Sequence, residues 1–373
     1  MIQLRNMVRL DGNPLEQMCP HDTTKLACRE RNPGRGSTAH HGFNQATYTR
    51  RTVGLQKGTD LSFQGESTSS RKLMPSPPDL SAGSGLFGSP EQCGRNPSDM
   101  ALQRANGSAR IVLSGSDDGT RIVDLFQKSP IRVMFPTSGA SAPEEAVLVN
   151  TAGGIAGGDR LECCVTALAN ASIAVTSQAA ERVYRALSEP ARISTKLKAC
   201  DVAKLAWLPQ ETIVFNWARV SRKTEIDLSS GSELLALEWL VLGRAAHGEV
   251  VVGGHITDTW RVKKEGRLIW ADSFRISNEI FPHLHRKALL SNCTAIATML
   301  YFGPSLDKRL EFLRDIIPSL GCNCAATLVG GLIVARFAAN ESSALRLALC
   351  RFLQRFGREL EPGPFRVPRM WSC

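Results

Sequence analysis

The sequence predicts a mainly β protein of many short antiparallel strands, layered or closed into a helical-barrel-like form, with two or three helices toward the C-terminus. From about Gly107 onward, short segments alternate apolar and polar residues with a period of two, and turn residues separate them. Apolar residues at helical spacing are clearest beyond residue 300. Of the 373 residues, 43% are hydrophobic, which is enough to build a sizeable core.

The first hundred residues differ from the rest and are predicted to be a disordered extension. Clusters such as Arg29–Thr38, Ser67–Lys72 and Pro75–Pro78 are rich in serine, glycine, proline and charge, and no apolar period develops. Such a segment cannot bury enough surface to offset the entropy lost on ordering. The folded domain is therefore expected to span residues 101–373.

A hairpin is the first predicted element of this domain. Ala109–Leu113 and Thr120–Leu125 are apolar runs that flank Asp117–Gly119, a turn signal. Further short strands follow at close spacing, which favours a β-rich domain over a βαβ sheet. They are predicted at Ile131–Phe135, Val147–Val149, Ser172–Thr176, Arg192–Leu197, Glu249–Val252, Ile256–Val262 and Leu268–Trp270.

Two helices are predicted near the C-terminus. The first is capped by Ser305, continues to Ile317 and ends before Pro318. The second follows Asn340 or Ser342 as its cap. Its apolar face is formed by Leu345, Leu349, Phe352, Leu353 and Phe356.

Two apolar stretches complete the secondary structure prediction. A third helix is plausible around Ser232–Leu242, where Glu238 interrupts an apolar run. Thr327–Ala335 is predicted as one buried strand. Neither stretch is long enough to span a bilayer.

Charge and cysteine content limit the class of protein. The chain carries 45 basic and 35 acidic residues and a net charge of +10, but the basic residues are spread along it without aromatic interleaving. This distribution fits an acidic protein partner at least as well as nucleic acid. No secretory segment opens the sequence, so the eleven cysteines are expected to be reduced thiols in a cytoplasmic protein.

The most informative segment runs from Val147 to Leu161 and contains two glycine pairs, Gly153–Gly154 and Gly157–Gly158, followed by Asp159. A phosphate-binding P-loop would have lysine and then serine or threonine after its last glycine, whereas Asp159 and Arg160 stand there. The segment is therefore expected to be a glycine turn. Asp159 either caps the local backbone or contacts a metal ion.

Metal-binding candidates are few and scattered. His283 and His285 have strand spacing, which would put both imidazoles on one face, although a surface loop is an alternative. Asp159, Glu211 and Glu249 could contact a divalent cation weakly, or could serve in salt bridges and turn caps. Only weak, transient metal contact is therefore expected, without a tightly bound cofactor.

No catalytic constellation is evident, so the chain is predicted not to be an enzyme. A G-x-S-x-G elbow is absent, and no cysteine has a histidine partner at a known spacing. Trp207 is expected in the core, and Trp217 is a candidate for a partner interface. The apolar helical residues Leu345, Phe352 and Phe356 are further candidates for docking a partner.

Five motifs follow one another along the chain: Asn150–Leu161, Ala179–Arg185, Leu205–Ile213, Gly243–Glu249 and Val367–Trp371. In this order they resemble the family of urease accessory protein D, called H in some bacteria. The likeness extends from about Ser108 to the C-terminus and does not include residues 1 to about 100.

This resemblance implies a non-catalytic role in urease maturation. Members of the family act with accessory proteins F and G on apo-urease and help to place nickel in its active site; the GTPase is protein G. The chain would be a scaffold that offers transient nickel contacts, without membrane or nucleic-acid binding. Two alternatives remain, a basic nucleic-acid-binding β protein and a small-molecule enzyme that uses the glycine segment as a ligand loop.

Overall fold

The computed structural model describes residues 103–136 and 144–372, and the predicted extension of residues 1–100 lies outside them. Within the described ranges the chain forms strands throughout and two α-helices near the C-terminus, which confirms the predicted class. The first nine strands are β1 (Asn106–Ser116), β2 (Gly119–Lys128), β3 (Ile131–Met134), β4 (Glu145–Asn150), β5 (Arg160–Ala167), β6 (Ser172–Ser177), β7 (Glu181–Val183), β8 (Ala191–Ala199) and β9 (Lys204–Leu208). The remaining elements are β10 (Thr212–Val214), β11 (Arg219–Leu228), β12 (Glu233–Leu242), β13 (His255–Lys264), β14 (Arg267–Ile276), β15 (Ala295–Phe302), α1 (Leu306–Ile316), β16 (Asn323–Val329), β17 (Leu332–Ala339) and α2 (Ser342–Glu359).

The strands form two sheets. The seven-stranded sheet has the order β14-β13-β11-β8-β5-β1-β2, and the ten-stranded sheet has the main order β16-β17-β15-β12-β9-β6-β4-β3, with β10 beside β12 and β7 beside β10. From β5 to β13 the chain passes back and forth between the sheets, so neighbouring strands within each sheet run parallel. The expectation of antiparallel pairing is therefore wrong in the centre and holds only toward the edges, as in β1–β2, β13–β14 and β16–β17. Parallel pairing arises without helical crossovers because each connection passes through a strand of the opposite sheet.

Three layers result from this arrangement. One core lies between the two sheets and contains inward-facing residues such as Ile111, Leu197 and Leu234. A second core lies between the outer face of the ten-stranded sheet and the two helices, and includes Trp239 and Phe352. No helix within the described residues is both long and apolar enough to cross a membrane.

The third helix predicted around Ser232–Leu242 is wrong, because this segment is strand β12. All ten of its residues are buried. Leu234 and Leu240 contribute to the core between the sheets, whereas Leu235 and Leu237 contribute to the core under the helices. A strand that is covered on both faces has no polar alternation, so periodicity alone cannot distinguish it from a buried helix.

Two further strand predictions require correction. Thr327–Ala335 is not one strand but parts of β16 and β17, joined at Gly330–Gly331, where both glycines have positive φ. Glu249–Val252 is not a strand but a loop between β12 and β13. Val250 and Val252 are exposed, and the segment pairs with no neighbouring strand. Its β-branched composition is typical of a strand, but composition alone does not supply a pairing partner.

Both C-terminal helices begin where the sequence predicts, but the predicted caps are wrong. Ser305 precedes α1 with a left-handed backbone, φ 53°, and its hydroxyl makes no capping hydrogen bond. The residue before α2 is Glu341 rather than Asn340 or Ser342, and it also makes no side-chain cap. These helices are therefore held mainly by the apolar faces that they bury, in keeping with the small contribution of propensity and capping in a packed domain.

Candidate functional site

The glycine segment is a tight turn that is closed by Asp159. This carboxylate is 5% exposed; its Oδ1 accepts a hydrogen bond from the Ala105 N–H at 2.8 Å, and its Oδ2 accepts one from the Ala156 N–H at 2.7 Å. Both carboxylate oxygens therefore accept hydrogen bonds from the backbone. Of the two roles considered for Asp159, backbone capping and metal contact, this geometry favours capping.

Each glycine pair contributes to the packing of this turn. Gly153, Gly154 and Gly158 have positive φ, whereas Gly157 does not. A Cβ on Gly154 would overlap the ring of Tyr184, whose hydroxyl donates to the Gly153 carbonyl at 2.9 Å. A Cβ on Gly157 would lie 2.5 Å from that of Ala186 and 2.6 Å from the Glu189 carbonyl oxygen. The segment is thus packed against the chain that follows β7.

Glu211 belongs to a hydrogen-bonded junction with α2 and the C-terminal tail. Arg346 Nη2 lies 2.8 Å from the Glu211 carboxylate and 2.7 Å from Gln210 Oε1, while its Nη1 donates to the Trp371 carbonyl at 3.1 Å. Gln210 Nε2 in turn donates to the Met370 carbonyl at 3.0 Å. Glu211 therefore belongs to a junction in which Arg346 and Gln210 contact the tail.

Glu249 stabilises the loop between β12 and β13. Its carboxylate lies 3.0 Å from Arg244 Nε, and it also accepts a long hydrogen bond of 3.4 Å from the Asn216 N–H. The hydrogen bond from Arg244 is the main reason that the pKa of Glu249 lies below its ordinary value. Like Glu211, Glu249 already has a cationic partner.

Of the two arrangements considered for the histidines, the structure shows the surface loop. His283 ends a 3-10 turn, Phe281–His283, and His285 follows in a further turn; both side chains are exposed. The pair therefore does not lie on a strand, and Pro282 explains why, since it fits the first positions of a helical turn.

The five metal candidates do not converge on one site. Within residues 103–136 and 144–372, no three His, Cys, Asp or Glu side chains are grouped so that they could hold a metal ion. The cysteines in the same ranges form no disulfide bonds.

The helical candidates for a partner interface are part of the chain's own core. Leu345, Phe352 and Phe356 are fully buried against the ten-stranded sheet, and Phe352 stacks on Phe356 with ring centroids 5.3 Å apart. Their prediction as a docking face is wrong because the amphipathic face of α2 is already covered. Trp207 is buried as expected, whereas Trp217 remains 43% exposed.

A cavity of about 100 Å³ with a mixed apolar and polar lining lies between the two sheets. Its lining combines apolar residues such as Leu148 and Ile193 with polar groups from both sheets. The polar residues include Asn150, Ser177, Glu181, Thr195, Gln210, Thr212, Arg222, Thr224 and Glu238. A cavity of this kind can hold ordered water or a hydrated ion, because several polar partners line the same space.

Two carboxylates share one guanidinium at this cavity. Arg222 Nη2 lies 2.8 Å from Asp258 Oδ2 and 2.8 Å from Glu238 Oε2, and all three side chains are buried. Glu238 Oε1 also accepts hydrogen bonds from Trp207 Nε1 at 2.9 Å and Thr224 Oγ1 at 3.2 Å. Burial raises the pKa of Glu238 more than Arg222 lowers it, and the charge of Asp258 raises it further. With two carboxylates and one guanidinium, the cluster has one more acidic group than basic groups.

Glu181 supplies another carboxylate, which is partly buried, to the cavity. It begins β7, and its Oε2 accepts a hydrogen bond from the Asn150 side-chain amide at 2.9 Å. Burial raises the pKa of Glu181, and the hydrogen bond from Asn150 opposes this shift in part. Asn150 belongs to the strand that leads into the glycine segment, so the turn and the cavity are structurally connected.

Most of this cluster is not evident from the sequence. Glu238 stands out there as a carboxylate that interrupts an apolar run, whereas Glu181, Arg222 and Asp258 do not stand out. The sequence nevertheless contains a pattern that indicates this cluster, because Arg222 and Asp258 each occupy an inward position of a strand whose other inward residues are mostly apolar. The apolar neighbours are Val220 and Ile226 in β11, and Ile256 and Trp260 in β13. A charged residue at an inward position indicates a buried polar site.

Comparison with known proteins is consistent with the motif resemblance. The family model described as UreD urease accessory protein matches residues 105–372. A protein of Brucella ovis named urease accessory protein UreD 1 is 38% identical over 279 residues, covering 74% of this chain and 97% of its own length. A protein of Xanthobacter autotrophicus named urease accessory protein UreD is 38% identical over 270 residues, covering 72% of this chain and 91% of its own length. A protein of the same name from Rhizobium leguminosarum bv. trifolii is 37% identical over 270 residues, covering 72% of this chain and 96% of its own length. The chain therefore belongs to the UreD family of urease accessory proteins.

Proposed function

We propose that this chain is a scaffold that passes nickel between accessory proteins F and G and apo-urease, and that the cavity between its sheets is part of the route. Membership of the UreD family gives it a role in urease maturation. The observation that supports a route is the cavity, where Glu181 and the Arg222–Glu238–Asp258 cluster bring acidic groups into the interior.

The charge distribution of the cavity suits a divalent ion in transit. Arg222 can neutralise only one of its two carboxylate partners, and Glu181 has no basic partner among the described residues. Oxygen ligands hold nickel less firmly than a closed set of imidazoles and thiolates would. A hydrated cation can therefore be stabilised in the cavity and still be released.

Weak binding is the first consequence that can be measured. We expect the purified chain to bind Ni²⁺ with a dissociation constant in the micromolar range or weaker, about −8 kcal/mol or less favourable. Calorimetric titration of the chain, alone and with protein F, measures this affinity. A nanomolar site of four protein ligands would contradict the route and indicate metal storage instead.

The second test follows nickel delivery through the cavity. Glu181→Gln and Glu238→Gln remove acidic groups from the lining with little change in shape, and Leu148→Phe narrows the space. Each is expected to lower the nickel content and activity of urease that is co-expressed with the accessory proteins. Asp227→Asn is the matched control, because Asp227 is an exposed carboxylate on β11.

The outcome has to be separated from loss of folding or of partner binding. Each variant is therefore compared with wild type by urea unfolding and by co-purification with protein F and apo-urease. Full nickel loading by all three cavity variants would exclude this cavity as the route. Failure of the wild-type chain to retain either partner at moderate salt would contradict the scaffold role itself.

A further inference from the structure

Three loops at one end of the fold form an exposed apolar patch, which we call the Trp217 patch. It contains four large side chains: Leu187 (86% exposed), Trp217 (43%), Val250 (72%) and Val252 (57%). Backbone hydrogen bonds join the loops directly, from the Ala186 N–H to the Trp217 carbonyl at 3.1 Å and from the Trp217 N–H to the Gly253 carbonyl at 2.8 Å. The three loops are therefore adjacent, which brings the four apolar residues into one region of the surface.

The loops of the Trp217 patch are held in place before any partner binds. Val252 N–H donates to Asn216 Oδ1 at 3.0 Å, and the Asn216 N–H donates to Glu249, which is paired with Arg244. The guanidinium of Arg244 also lies over the ring of Phe215, 4.1 Å from its centroid. A surface that is ordered in advance loses less conformational entropy when it binds.

Trp217 itself has a conformation that bulky residues rarely adopt. Its φ is +60°, in the left-handed region, and its ring lies where a Cβ on Gly253 would be, 2.6 Å from the ring atoms. Gly253 thus leaves room for the indole against the loop, while 43% of Trp217 stays exposed. Backbone strain that presents an aromatic side chain to solvent is characteristic of functional surfaces, and tryptophan is the residue most enriched at binding hot spots.

The charges beside the patch define the chemistry of its partner. Arg182 and Arg185 are exposed and make no ion pair or hydrogen bond through their side chains within the described chain. Arg192 and Arg244, by contrast, are paired with Glu189 and Glu249. The four arginines outnumber their two glutamate partners, which disfavours a second copy of the same surface and suits an acidic one.

We infer that the Trp217 patch docks a partner protein through an apolar surface bordered by carboxylates. This inference rests on the proposed function, because proteins of the maturation pathway are the partners available to test it. The indole supplies the central apolar contact, and Arg182 and Arg185 steer and orient the acidic partner. The patch adjoins the glycine segment through Tyr184, so docking places the partner next to the turn that leads to the cavity.

Two variants of the full chain separate the apolar from the electrostatic contribution. Trp217→Gly removes the indole and suits the positive φ, so the fold is expected to keep its stability. Arg182→Glu/Arg185→Glu reverses the unpaired charge. Leu347→Ala, an exposed apolar residue on α2, and Lys308→Glu/Arg351→Glu, exposed basic residues on the two helices, are the matched controls.

Binding is measured by interferometry with purified protein F, purified apo-urease and a 20-base-pair DNA duplex, each as a separate analyte. We expect Trp217→Gly to weaken binding of at least one of the two proteins by tenfold or more. The charge reversal should slow association and reduce its salt dependence, while both controls bind as wild type. Wild-type binding of the proteins by both patch variants would overturn the inference while leaving the scaffold role intact.

The remaining outcomes are also decisive. If the wild-type chain binds neither protein, the proposed function and the inference both fail. If only duplex binding falls in the charge-reversal variant, the surface is a nucleic-acid site and the inference is overturned. The same holds if Trp217→Gly changes only self-association of the chain in sedimentation velocity.

Discussion

At the scale of single residues, Glu181 links the chemistry of the cavity to stability. Burial raises its pKa in the folded state, so folding opposes its ionisation. Below the pKa of the unfolded chain, about 4.3, the carboxyl is protonated in both states and this cost is absent. As pH rises through the raised folded pKa, the stability that the protonated group provides is lost.

Glu181→Gln should remove this pH dependence. The amide oxygen can still accept the hydrogen bond from Asn150, so the variant should be close to wild type at pH 4 and relatively more stable at pH 7.5. Each unit of pKa shift that is removed corresponds to about 1.4 kcal/mol. Urea unfolding at both pH values measures the difference, and an equal change at the two values would contradict it.

Asp159 tests the capping role of the glycine turn. Asp159→Ala leaves two backbone N–H groups, of Ala105 and Ala156, without their acceptor. Hydrogen bonds to a charged group contribute about 1.5–3 kcal/mol each, but water can reach part of this turn, so we expect a loss of about 1–3 kcal/mol. Denaturant unfolding beside the exposed control Asp227→Ala checks this, and equal stability of the two variants would refute the cap.

At the scale of elements, Arg346 shows how the C-terminal tail is attached. It lies at the start of α2 and contacts the Leu205–Ile213 motif and the tail together. Two motifs that are about 150 residues apart in sequence are thereby brought together at Gln210. The sequence identifies both segments, but not the arginine that joins them, because nothing in the helix pattern distinguishes Arg346 from its neighbours.

Arg346→Ala is expected to loosen the tail and to lower stability by about 2 kcal/mol, since it leaves partly buried acceptors unpaired. Arg351→Ala on the same helix is the control, as its exposed side chain makes no hydrogen bond or ion pair in the described part of the chain. Proteolysis and hydrogen exchange of residues 367–372 report the tail. Unchanged protection in Arg346→Ala would show that Trp371, buried against α2 and β9, holds the tail by itself.

At the scale of the whole molecule, the Arg222 cluster connects the two sheets. Arg222 and Asp258 lie on neighbouring strands of the seven-stranded sheet, and Glu238 comes from the ten-stranded sheet. Arg222→Met should cost about 3–5 kcal/mol, because it leaves two carboxylates in the interior without a cation. Adding Glu238→Gln and Asp258→Asn should recover part of that loss, since no uncompensated charge remains.

Thermal and denaturant unfolding of the single and triple variants measure this coupling. If the triple variant is as unstable as Arg222→Met, the loss comes from packing of the arginine side chain and not from charge. If Arg222→Met is as stable as wild type, the cluster does not stabilise the contact between the sheets.

The sequence by itself determined the class of fold, the two C-terminal helices, the glycine turn and the family. These features depend on local patterns: alternating strands such as Ile256–Val262, helical spacing from Leu345 to Phe356, and motifs of contiguous residues. Tertiary structure alone decided that Ser232–Leu242 is a strand, that the face of α2 is core, and that strands pair in parallel between two sheets. It also decided the site, because Glu181, Arg222, Glu238 and Asp258 are distant in sequence and meet only when both sheets are in place. The spacing of apolar residues shows which face of a helix or strand is apolar. Which other element covers that face depends on how the whole chain packs.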